Sequence, residues 1–345
     1  MNVFQSPEPW HILQMSDVLD LEFATELAED GPVVLWEPRR RLLPLPFDQD
    51  GSASGHGVRD GGNLRFRRFP VQRGTARLPG FLGQKLAPTL SKALLQRMLG
   101  PLTPETGDRK SPVLVCTTPY FAAVAERWPG PVVYWLTDLM AAYEGIDPEA
   151  LRRLDERLCL RAELVCPNSE RIATYLCERA GCAAEKITVL PNATRARNIL
   201  PAPLQHPAPF PGDVAAWTGK STRPIAGVIG ALGGNMDWVY LQQMQALAPW
   251  LSWVFVGPAD LRVEERAQRR ARAAVMRNPN CLFTGARPYG ELYRYARAFT
   301  VGILPYRHRE PTYSGSSTRF YEHLAACHPM PVSYTHLTLP TKRIV

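Results

Sequence analysis

Short, continuous hydrophobic runs alternate with stretches of helical spacing along much of the chain. In the first half, apolar runs occur at 33–37, 63–69, 112–116, 132–136, 162–166 and 187–190. Between the last two, Ile172, Tyr175, Leu176 and Arg179 recur at the spacing of a helix face. Apolar strands joined by helices are typical of a parallel sheet that is buried on both faces. The first half is therefore predicted to be a Rossmann-like domain, residues 1–194.

A proline-rich segment without periodicity, residues 195–224, separates this series from a second one. It is predicted to be an interdomain linker. Apolar runs then return at 225–232, 252–257, 281–285 and 301–306, with helical patterns at 237–248 and 262–277. The expected fold class is α/β, with two Rossmann-like parallel-sheet domains facing a cleft, the second at 225–331.

The last residues, 332–345, read VSYTHLTLPTKRIV and do not continue the core-like pattern before them. They are similar to the translated product of a sequencing-library transposase adapter, and we interpret them as a non-native tail. The natural chain is then expected to be cut at about residue 331, which would leave the second domain incomplete, with an exposed sheet edge and low stability.

The composition indicates a globular protein, with 45% hydrophobic and 21% charged residues. No apolar run is long enough for a membrane span, and the first residues do not resemble an export signal. Cys116 and Cys166 lie within apolar runs and are interpreted as core residues, so a cytoplasmic location is expected. The net charge of +8 comes from scattered basic runs without interleaved aromatics, which favours solvated faces over nucleic-acid binding.

An ordered series of motifs resembles the GT-B glycosyltransferases, in particular the bacterial family 4-like, or group 1, enzymes. The series consists of VVYWLTDLMAAYEG, ELVCPNSERIATYL with ITVLPNAT, GVIGAL, and TGARPYGELYRYARAFTVGILPY with SSTRFYEHLAACHPM. The resemblance implies a hexosyltransferase-like, retaining enzyme of polysaccharide biosynthesis. Its donor would be a nucleoside-diphosphate sugar and its acceptor a glycan or lipid-linked molecule. The implied location is the cytoplasm, with peripheral association at the inner membrane as a further option.

Two features depart from the family pattern. Many family 4 members carry a glutamate eight residues before the one that matches Glu322, but Ser314 stands there, and Glu310 is out of register. The usual Arg and Lys after the first strand of the second domain are also absent from GALGGNMDW.

The stretch YSGSSTRFYEHLAA, 313–326, is the strongest candidate for a ligand site. Its small and hydroxyl residues suit a helix start at which backbone N–H groups bind phosphate, and Arg319 adds a positive charge. The predicted donor-binding residues here are Gly315, Ser316, Ser317, Thr318 and Arg319. Glu322 would accept hydrogen bonds from ribose hydroxyls, as the resemblance implies, or it is a surface acid. A capping box requires Ser or Thr three residues before the glutamate. Arg319 stands at that position before Glu322, and Thr318 is one residue too early, so the motif is not present.

A glycine turn formed by Gly230, Gly233 and Gly234 is the predicted companion site. It lacks the GxGxxG spacing of a dinucleotide fingerprint, so it is either part of the donor site or an ordinary strand-to-helix turn. In the first domain Asp138 follows a predicted strand, at the edge where ligands gather in parallel sheets. Asp138 is predicted to position or deprotonate the acceptor hydroxyl, or else to cap the next helix.

Five further polar residues receive weaker interpretations. Thr117 and Thr118 follow a neighbouring strand, where capping by Thr118 is favoured over ligand contact, and Asn192 is assigned to the hinge. Asp48 and Asp50 form a DxD, but in a Gly/Ser-rich segment that does not follow a clean strand. We interpret it as a surface loop, and neither a metal nor a cofactor is predicted.

Rival functions remain open from the sequence. The departures from the family pattern favour a non-catalytic GT-B-like module that binds nucleotide or glycan. A GT-B epimerase and a nicotinamide enzyme are also compatible with the glycine turn and the α/β pattern, although no acidic residue is placed to bind an adenine ribose.

Overall fold

The computed structural model describes residues 10–13, 18–38, 62–69, 112–142, 147–194, 210–219, 221–259, 261, 263–288, 291–310, 314–326 and 328–330. The chain divides into two compact units, Met1–Leu190 and Pro191–Val345. The DxD residues Asp48 and Asp50 and the tail 332–345 lie outside the described residues.

The described strands of the first unit form one sheet in the order β3-β2-β1-β4-β5-β6, and all of their pairings are parallel. They are β1 (Trp10–Leu13), β2 (Val33–Pro38), β3 (Leu64–Phe69), β4 (Leu114–Cys116), β5 (Val132–Leu136) and β6 (Leu164–Pro167). Strand β1 was not predicted, because its four residues carry a polar histidine. The His11 imidazole is buried; its Nδ1 accepts a hydrogen bond from Trp36 Nε1 at 3.0 Å, and its Nε2 has no partner among the described residues.

Helices cover both faces of this sheet. They are α1 (Val18–Asp30), α2 (Ala122–Ala125), α3 (Pro148–Arg161) and α4 (Glu170–Ala180), with 3₁₀ turns at Pro119–Phe121, Met140–Ala142 and Ala184–Lys186. Helix α4 begins where its sequence predicts, because Ser169 Oγ accepts from the N–H of Ile172, and it ends at left-handed Gly181. One core contains residues of α2, α3 and α4, and Phe23, Ala24 and Leu27 of α1 pack in the core on the other face.

Cys116 and Cys166 are buried, as predicted. The run at 187–190 forms no regular strand, but it lies along β6: Ile187 forms an isolated parallel bridge with Val165, and the N–H groups of Thr188 and Leu190 donate to Val165 O (2.9 Å) and Pro167 O (2.8 Å). Helix capping by the Thr118 side chain is also wrong, because its hydroxyl contacts Met140 Sδ at 3.2 Å and makes no capping bond.

The second unit contains a parallel sheet of described strands in the order β10-β7-β8-β9. The strands are β7 (Ile225–Ile229), β8 (Ser252–Val256), β9 (Cys281–Gly285) and β10 (Val301–Gly302). The helices are α5 (Gly212–Thr218), α6 (Trp238–Leu247), α7 (Arg266–Arg277), α8 (Leu292–Ala296) and α9 (Thr318–Ala325). Helices α6 and α7 share one core with the sheet, and α5 and α8 share the core on its other face.

Two predictions for this unit need correction. Residues 212–218 of the predicted linker are helical, and Asp213 accepts hydrogen bonds from Arg287 Nη2 (2.7 Å) and Tyr295 Oη (2.9 Å). The predicted strand at 301–306 pairs in parallel only over Val301–Gly302, and Tyr306 instead forms an antiparallel bridge with Met236. With these changes the predicted α/β class with two parallel sheets is confirmed.

Candidate functional site

The start of helix α9 has the properties of an anion site. The helix begins at Thr318, and its N-cap Ser317 makes no side-chain capping bond. The first-turn N–H groups of a helix lack intrahelical acceptors, and the helix dipole places partial positive charge there. A ligand anion can therefore take the place that a capping side chain occupies elsewhere.

Asn192, which the sequence analysis assigned to the hinge, anchors the loop before this helix. Asn192 Nδ2 donates to the carbonyl oxygen of Ser316 at 2.5 Å, and both residues are buried. Asn192 Oδ1 is buried without a hydrogen-bond partner among the described residues. Asn192 thus fixes the backbone of the helix start, and nothing in its local sequence indicates this pairing.

Arg319 lies directly against the glycine turn. A Cβ atom added to Gly230 would lie 3.3 Å from Arg319 Nε and 3.8 Å from Tyr306 Oη, and Gly230 has a φ of 134°. Arg319 Nη1 also donates to Thr318 Oγ1 at 2.7 Å. Gly230 and the first turn of α9 therefore form one local surface with the guanidinium between them.

Gly257, directly after β8, lies against Gly230 and so supports this surface. It was not identified from the sequence. A Cβ atom at Gly257 would lie 1.9 Å from the carbonyl oxygen of Gly230, closer than atoms can approach. Its φ of 141° also excludes most other residues. A glycine directly after a buried strand is the signal that identifies this position.

The N-terminus of helix α6, which follows the glycine turn, is already occupied by protein side chains. Gln268 Oε1 accepts from the N–H groups of Trp238 (2.6 Å) and Val239 (3.3 Å), and Asp237 Oδ1 accepts from that of Tyr240 (3.0 Å). These donors are satisfied, so α9 is the better candidate for an anion.

The contacts of Gly233 and Gly234 involve their carbonyl oxygens. Gly233 O accepts from Trp238 Nε1 at 3.1 Å, and Gly234 O accepts from Arg309 Nη2 at 3.4 Å. The part of these two glycines in anion binding stays a prediction. The contact with Arg309 nevertheless shows that positive charge reaches the turn.

Two arginines that the sequence reasoning missed flank the glycine turn. The N–H of Arg307 donates to Asn235 O at 2.9 Å, and its guanidinium pairs with Glu265 at 2.5 Å. Arg309 contacts Gly234, as described above. Arg307 and Arg309, in the segment after β10, and Arg319 of α9 thus place guanidinium groups near the glycine turn, and that of Arg307 is paired with Glu265.

Glu322 is a buried carboxylate one turn into α9. Its side chain is about 5% exposed, and neither oxygen has a hydrogen-bond partner among the described residues. Arg319 Nη1 lies 3.6 Å from Glu322 Oε1. Burial raises the pKa of the Glu322 carboxyl, and the charge of Arg319 opposes this shift. The interpretation of Glu322 as a surface acid is therefore wrong, and its oxygens remain able to accept hydrogen bonds.

A second carboxylate, that of Glu310, lies beside Ser314, the residue that stands where the family pattern has its first glutamate. The hydroxyl of buried Ser314 donates to Glu310 Oε1 at 2.7 Å. The serine that replaces the expected glutamate therefore holds a nearby glutamate beside itself. The sequence showed both residues, but only the fold shows that they meet.

The remaining predicted residues of the stretch surround the helix start. Ser316 Oγ and Tyr321 Oη are 3.3 Å apart, and Thr318 Oγ1 accepts from Arg319. Gly315 and Ser317 are half-buried. Each of these residues lies in the loop or first turn, and their contact with a donor stays a prediction.

Asp138 belongs to the first unit, directly beyond the carboxyl end of β5, and is half-buried. Polar groups of neighbouring strand ends are already engaged there. Thr117 Oγ1 donates to Leu13 O at 3.1 Å, and Asn168 Nδ2 donates to the carbonyl oxygen of Thr137. The role of Asp138 toward an acceptor stays a prediction.

The described residues contain no group of His, Cys, Asp or Glu side chains arranged to hold a metal ion. Among the helices of these residues, none combines the length and apolarity that crossing a bilayer requires.

Solved structures with the same arrangement of elements are glycosyltransferases. HepE of Anabaena in complex with UDP and glucose superposes with a TM-score of 0.61 at 14% identity, over 93% of this chain and 79% of HepE. Sucrose-phosphate synthase of Thermosynechococcus elongatus gives 0.65 at 15% identity, over 94% and 81% of the two chains. The UDP-forming trehalose-phosphate synthase of Burkholderia vietnamiensis gives 0.60 at 13%, over 94% and 84%.

The fold is GT-B. No protein-family model matches the chain, and no curated protein matches it in sequence. At 13–15% identity the likeness of the GT-B structures establishes the fold, and activity has to be argued from this chain's own residues.

Proposed function

We propose that the protein transfers a glycosyl group from a nucleoside-diphosphate sugar to an acceptor hydroxyl. The observation that carries the proposal is the start of helix α9, which has no side-chain cap and has Arg319 between it and Gly230. HepE, a structure with the same fold, has been solved with UDP and with UDP-glucose. In this chain the corresponding ligand is a nucleotide sugar, with its diphosphate at the α9 start.

The reaction needs a site that stabilises the negative charge of the departing diphosphate. The N–H groups of the first turn of α9 and the guanidinium of Arg319 supply positive charge without a metal ion. Arg309, which contacts Gly234, adds a second guanidinium on the glycine turn. Such groups are fixed before the reaction starts, so little reorganisation opposes charge development as the glycosidic bond breaks.

Glu322 is assigned to the ribose of the donor. Its buried oxygens accept no hydrogen bond from the described residues, so two ribose hydroxyls would satisfy them. Arg319, at 3.6 Å, balances the negative charge of the ionised carboxylate. Ser314 and Glu310 provide a further hydroxyl and carboxylate pair for the sugar.

The acceptor side is assigned to the first unit. Asp138 stands at the carboxyl end of a buried parallel strand, where it would orient the attacking hydroxyl or accept its proton. A glycan or lipid-linked acceptor, a hexosyl donor, retention of configuration and a part in polysaccharide biosynthesis follow the family resemblance. The proposed location is the cytoplasm.

Calorimetric titration with UDP, GDP and ADP tests nucleotide binding. We expect one of the three to bind, and Arg319→Gln to weaken that binding about 10–100-fold, because a charge-assisted contact is lost. Arg153→Gln, which removes an exposed arginine of the first unit, is the control. If none of the nucleotides binds to the intact chain, the proposal is wrong.

A second candidate function, a non-catalytic nucleotide-binding module, is favoured by one observation. The α6 N-terminus beside the glycine turn is closed by Asp237 and Gln268, so of the two helix starts α6 and α9 only that of α9 is open to the diphosphate. Sugar release and product formation with a panel of donors separate the two candidates. Turnover that Asp138→Ala abolishes while nucleotide binding is kept identifies the enzyme, and binding without turnover identifies the module.

A further inference from the structure

The outward side of helix α7 carries an unusual concentration of positive charge. Arg266, Arg269, Arg270 and Arg277 are all exposed, and with Met276 they fall within one helical stripe at the 3.6-residue period. Gln268, Ala271 and Val275 are buried on the opposite side. The stripe therefore faces away from the core.

Helices α6 and α7 themselves contain no acidic residue; the exposed Glu264 and Glu265 directly precede α7, and Glu265 pairs with Arg307. Residues 238–259 and 266–290 contain no Asp or Glu. Arg269 bonds to backbone carbonyl oxygens, including that of Val263, and no ion pair involves Arg266, Arg270 or Arg277 among the described residues. This contrasts with α3, where Arg152 and Arg153 pair with Glu149. Among the described residues, Arg266, Arg270 and Arg277 thus form no ion pair with a protein carboxylate.

Large hydrophobic side chains lie exposed at the carboxyl end of the same helix layer. Leu247 is 84% exposed, Trp250 59% and Met276 45%. Leu247 ends α6, Trp250 lies in the turn after it, and Met276 lies in the last turn of α7. An exposed tryptophan beside an exposed leucine is unfavourable in water and typical of residues that insert at a membrane interface.

Hydrogen bonds show that these ends meet. Asn278, which caps the end of α7, donates to Gln245 Oε1 of α6 at 2.9 Å, and Asn280 Nδ2 donates to Pro249 O at 3.4 Å. Arg223 donates to Asn280 Oδ1 at 3.0 Å and adds another exposed guanidinium. The three hydrophobic residues are thus flanked by Arg223 and Arg277.

We infer that this α6–α7 face, defined by Arg266, Arg270, Arg277, Leu247, Trp250 and Met276, docks on an anionic lipid bilayer. The arginines would pair with anionic headgroups, and the tryptophan, leucine and methionine would enter the boundary between headgroups and acyl chains. Nucleic acid fits less well, because the hydrophobic residues lie together at one end and are not interleaved with the arginines.

The face lies away from the proposed donor site within the second unit. Helices α6 and α7 run in parallel, since Gln268 binds the amino end of α6 and Asn278 binds Gln245 near its carboxyl end. The glycine turn precedes the amino end of α6, whereas the hydrophobic residues lie at the carboxyl ends. A bilayer bound to this face would therefore not cover the start of helix α9. The inference does not depend on nucleotide binding.

Vesicle flotation with the full 345-residue chain tests the inference. The vesicles consist of phosphatidylcholine alone or with about a third phosphatidylglycerol, at low and high salt. We expect binding only to the anionic vesicles and a decrease with salt. The triple variant Arg266→Gln, Arg270→Gln, Arg277→Gln should lower the partition coefficient roughly 100-fold, because each arginine contributes about fivefold. Leu247→Ser with Trp250→Ser should lower it at least about tenfold.

Matched controls remove the same charge and the same kind of apolar surface elsewhere. Arg127→Gln, Arg153→Gln, Arg294→Gln changes three exposed arginines outside this face, and Leu160→Ser removes an exposed leucine of α3. Both controls should float like the parent. All variants should keep the parent's nucleotide affinity, so the result of this test is independent of the test of the proposed function. The inference is wrong if the parent ignores anionic vesicles, if the triple variant floats unchanged, or if single-stranded RNA binds this face in place of lipid.

Discussion

The side-chain amide of Asn192 donates to the main-chain carbonyl oxygen of Ser316 over 2.5 Å, between residues separated by 124 positions. This bond joins the first residues of the second unit to the loop that starts helix α9. A short polar side chain therefore determines the backbone position of the predicted phosphate site.

Asn192→Ala is expected to weaken nucleotide binding about 5–10-fold, because the loop loses its anchor and a buried carbonyl loses its donor. Calorimetry with the best nucleotide measures this. Asn63→Ala is the matched control, since Asn63 Nδ2 makes the same kind of bond to Ala28 O, at 3.0 Å, in the first unit. Equal affinity in Asn192→Ala and the parent would show that the loop position does not matter for binding.

Gly230→Ala is expected to lower both stability and nucleotide affinity. The φ of 134° is unfavourable for alanine, by about 1–3 kcal/mol, and the new Cβ would press on Arg319 Nε at 3.3 Å. Gly181→Ala is the control, because it also has positive φ but nothing within 4 Å of the added Cβ. Both variants should unfold at lower urea concentration, and only Gly230→Ala should bind nucleotide more weakly. If Gly230→Ala and Gly181→Ala bound nucleotide with equal affinity, Arg319 would not be part of the nucleotide site.

Glu322→Gln is expected to raise stability above about pH 5 while weakening nucleotide binding roughly tenfold. Burial raises the pKa of the Glu322 carboxyl above its ordinary value of 4.5, so the folded chain holds this proton to higher pH than the unfolded chain does. The free energy of unfolding therefore falls as the pH rises from 4.5 through the raised pKa, and the glutamine removes this loss. Urea unfolding across pH measures it, with exposed Glu178→Gln as the control. A variant that loses stability at neutral pH would contradict the prediction.

His323→Leu is expected to make the protein less sensitive to acid. Burial lowers the pKa of His323 from 6.5 to about 3, and the charges of His328 and Arg319 act in the same direction. Between pH 6.5 and 3 the unfolded chain binds a proton that the folded chain does not, so the free energy of unfolding falls as the pH falls. The substitution should reduce this slope by up to about 1.4 kcal/mol per pH unit. The same slope in His323→Leu and the parent would be the contrary result.

Local sequence determined much of the fold because its signals act over a few residues. Continuous apolar runs such as 132–136 and 252–256 became parallel strands, and Ser169 with Gly181 set the ends of α4. The same reasoning failed where pairing partners decide the outcome. Strand β1 includes the buried His11, whose Nδ1 accepts from Trp36, and the run at 187–190 bonds to β6 without forming a regular strand. Side-chain periodicity shows that a segment is able to pair, but it does not show with which neighbour.

The candidate site divides in the same way. The sequence identified the hydroxyl-rich start of α9, Arg319 and Glu322, because helix starts and their dipoles follow from local chemistry. Only the tertiary structure placed Arg319 on Gly230, Asn192 on Ser316, Glu310 beside Ser314 and Gly257 beneath Gly230. Each of these contacts joins separate segments whose approach is set by the packing of the sheet and its helices, and that packing depends on the chain as a whole.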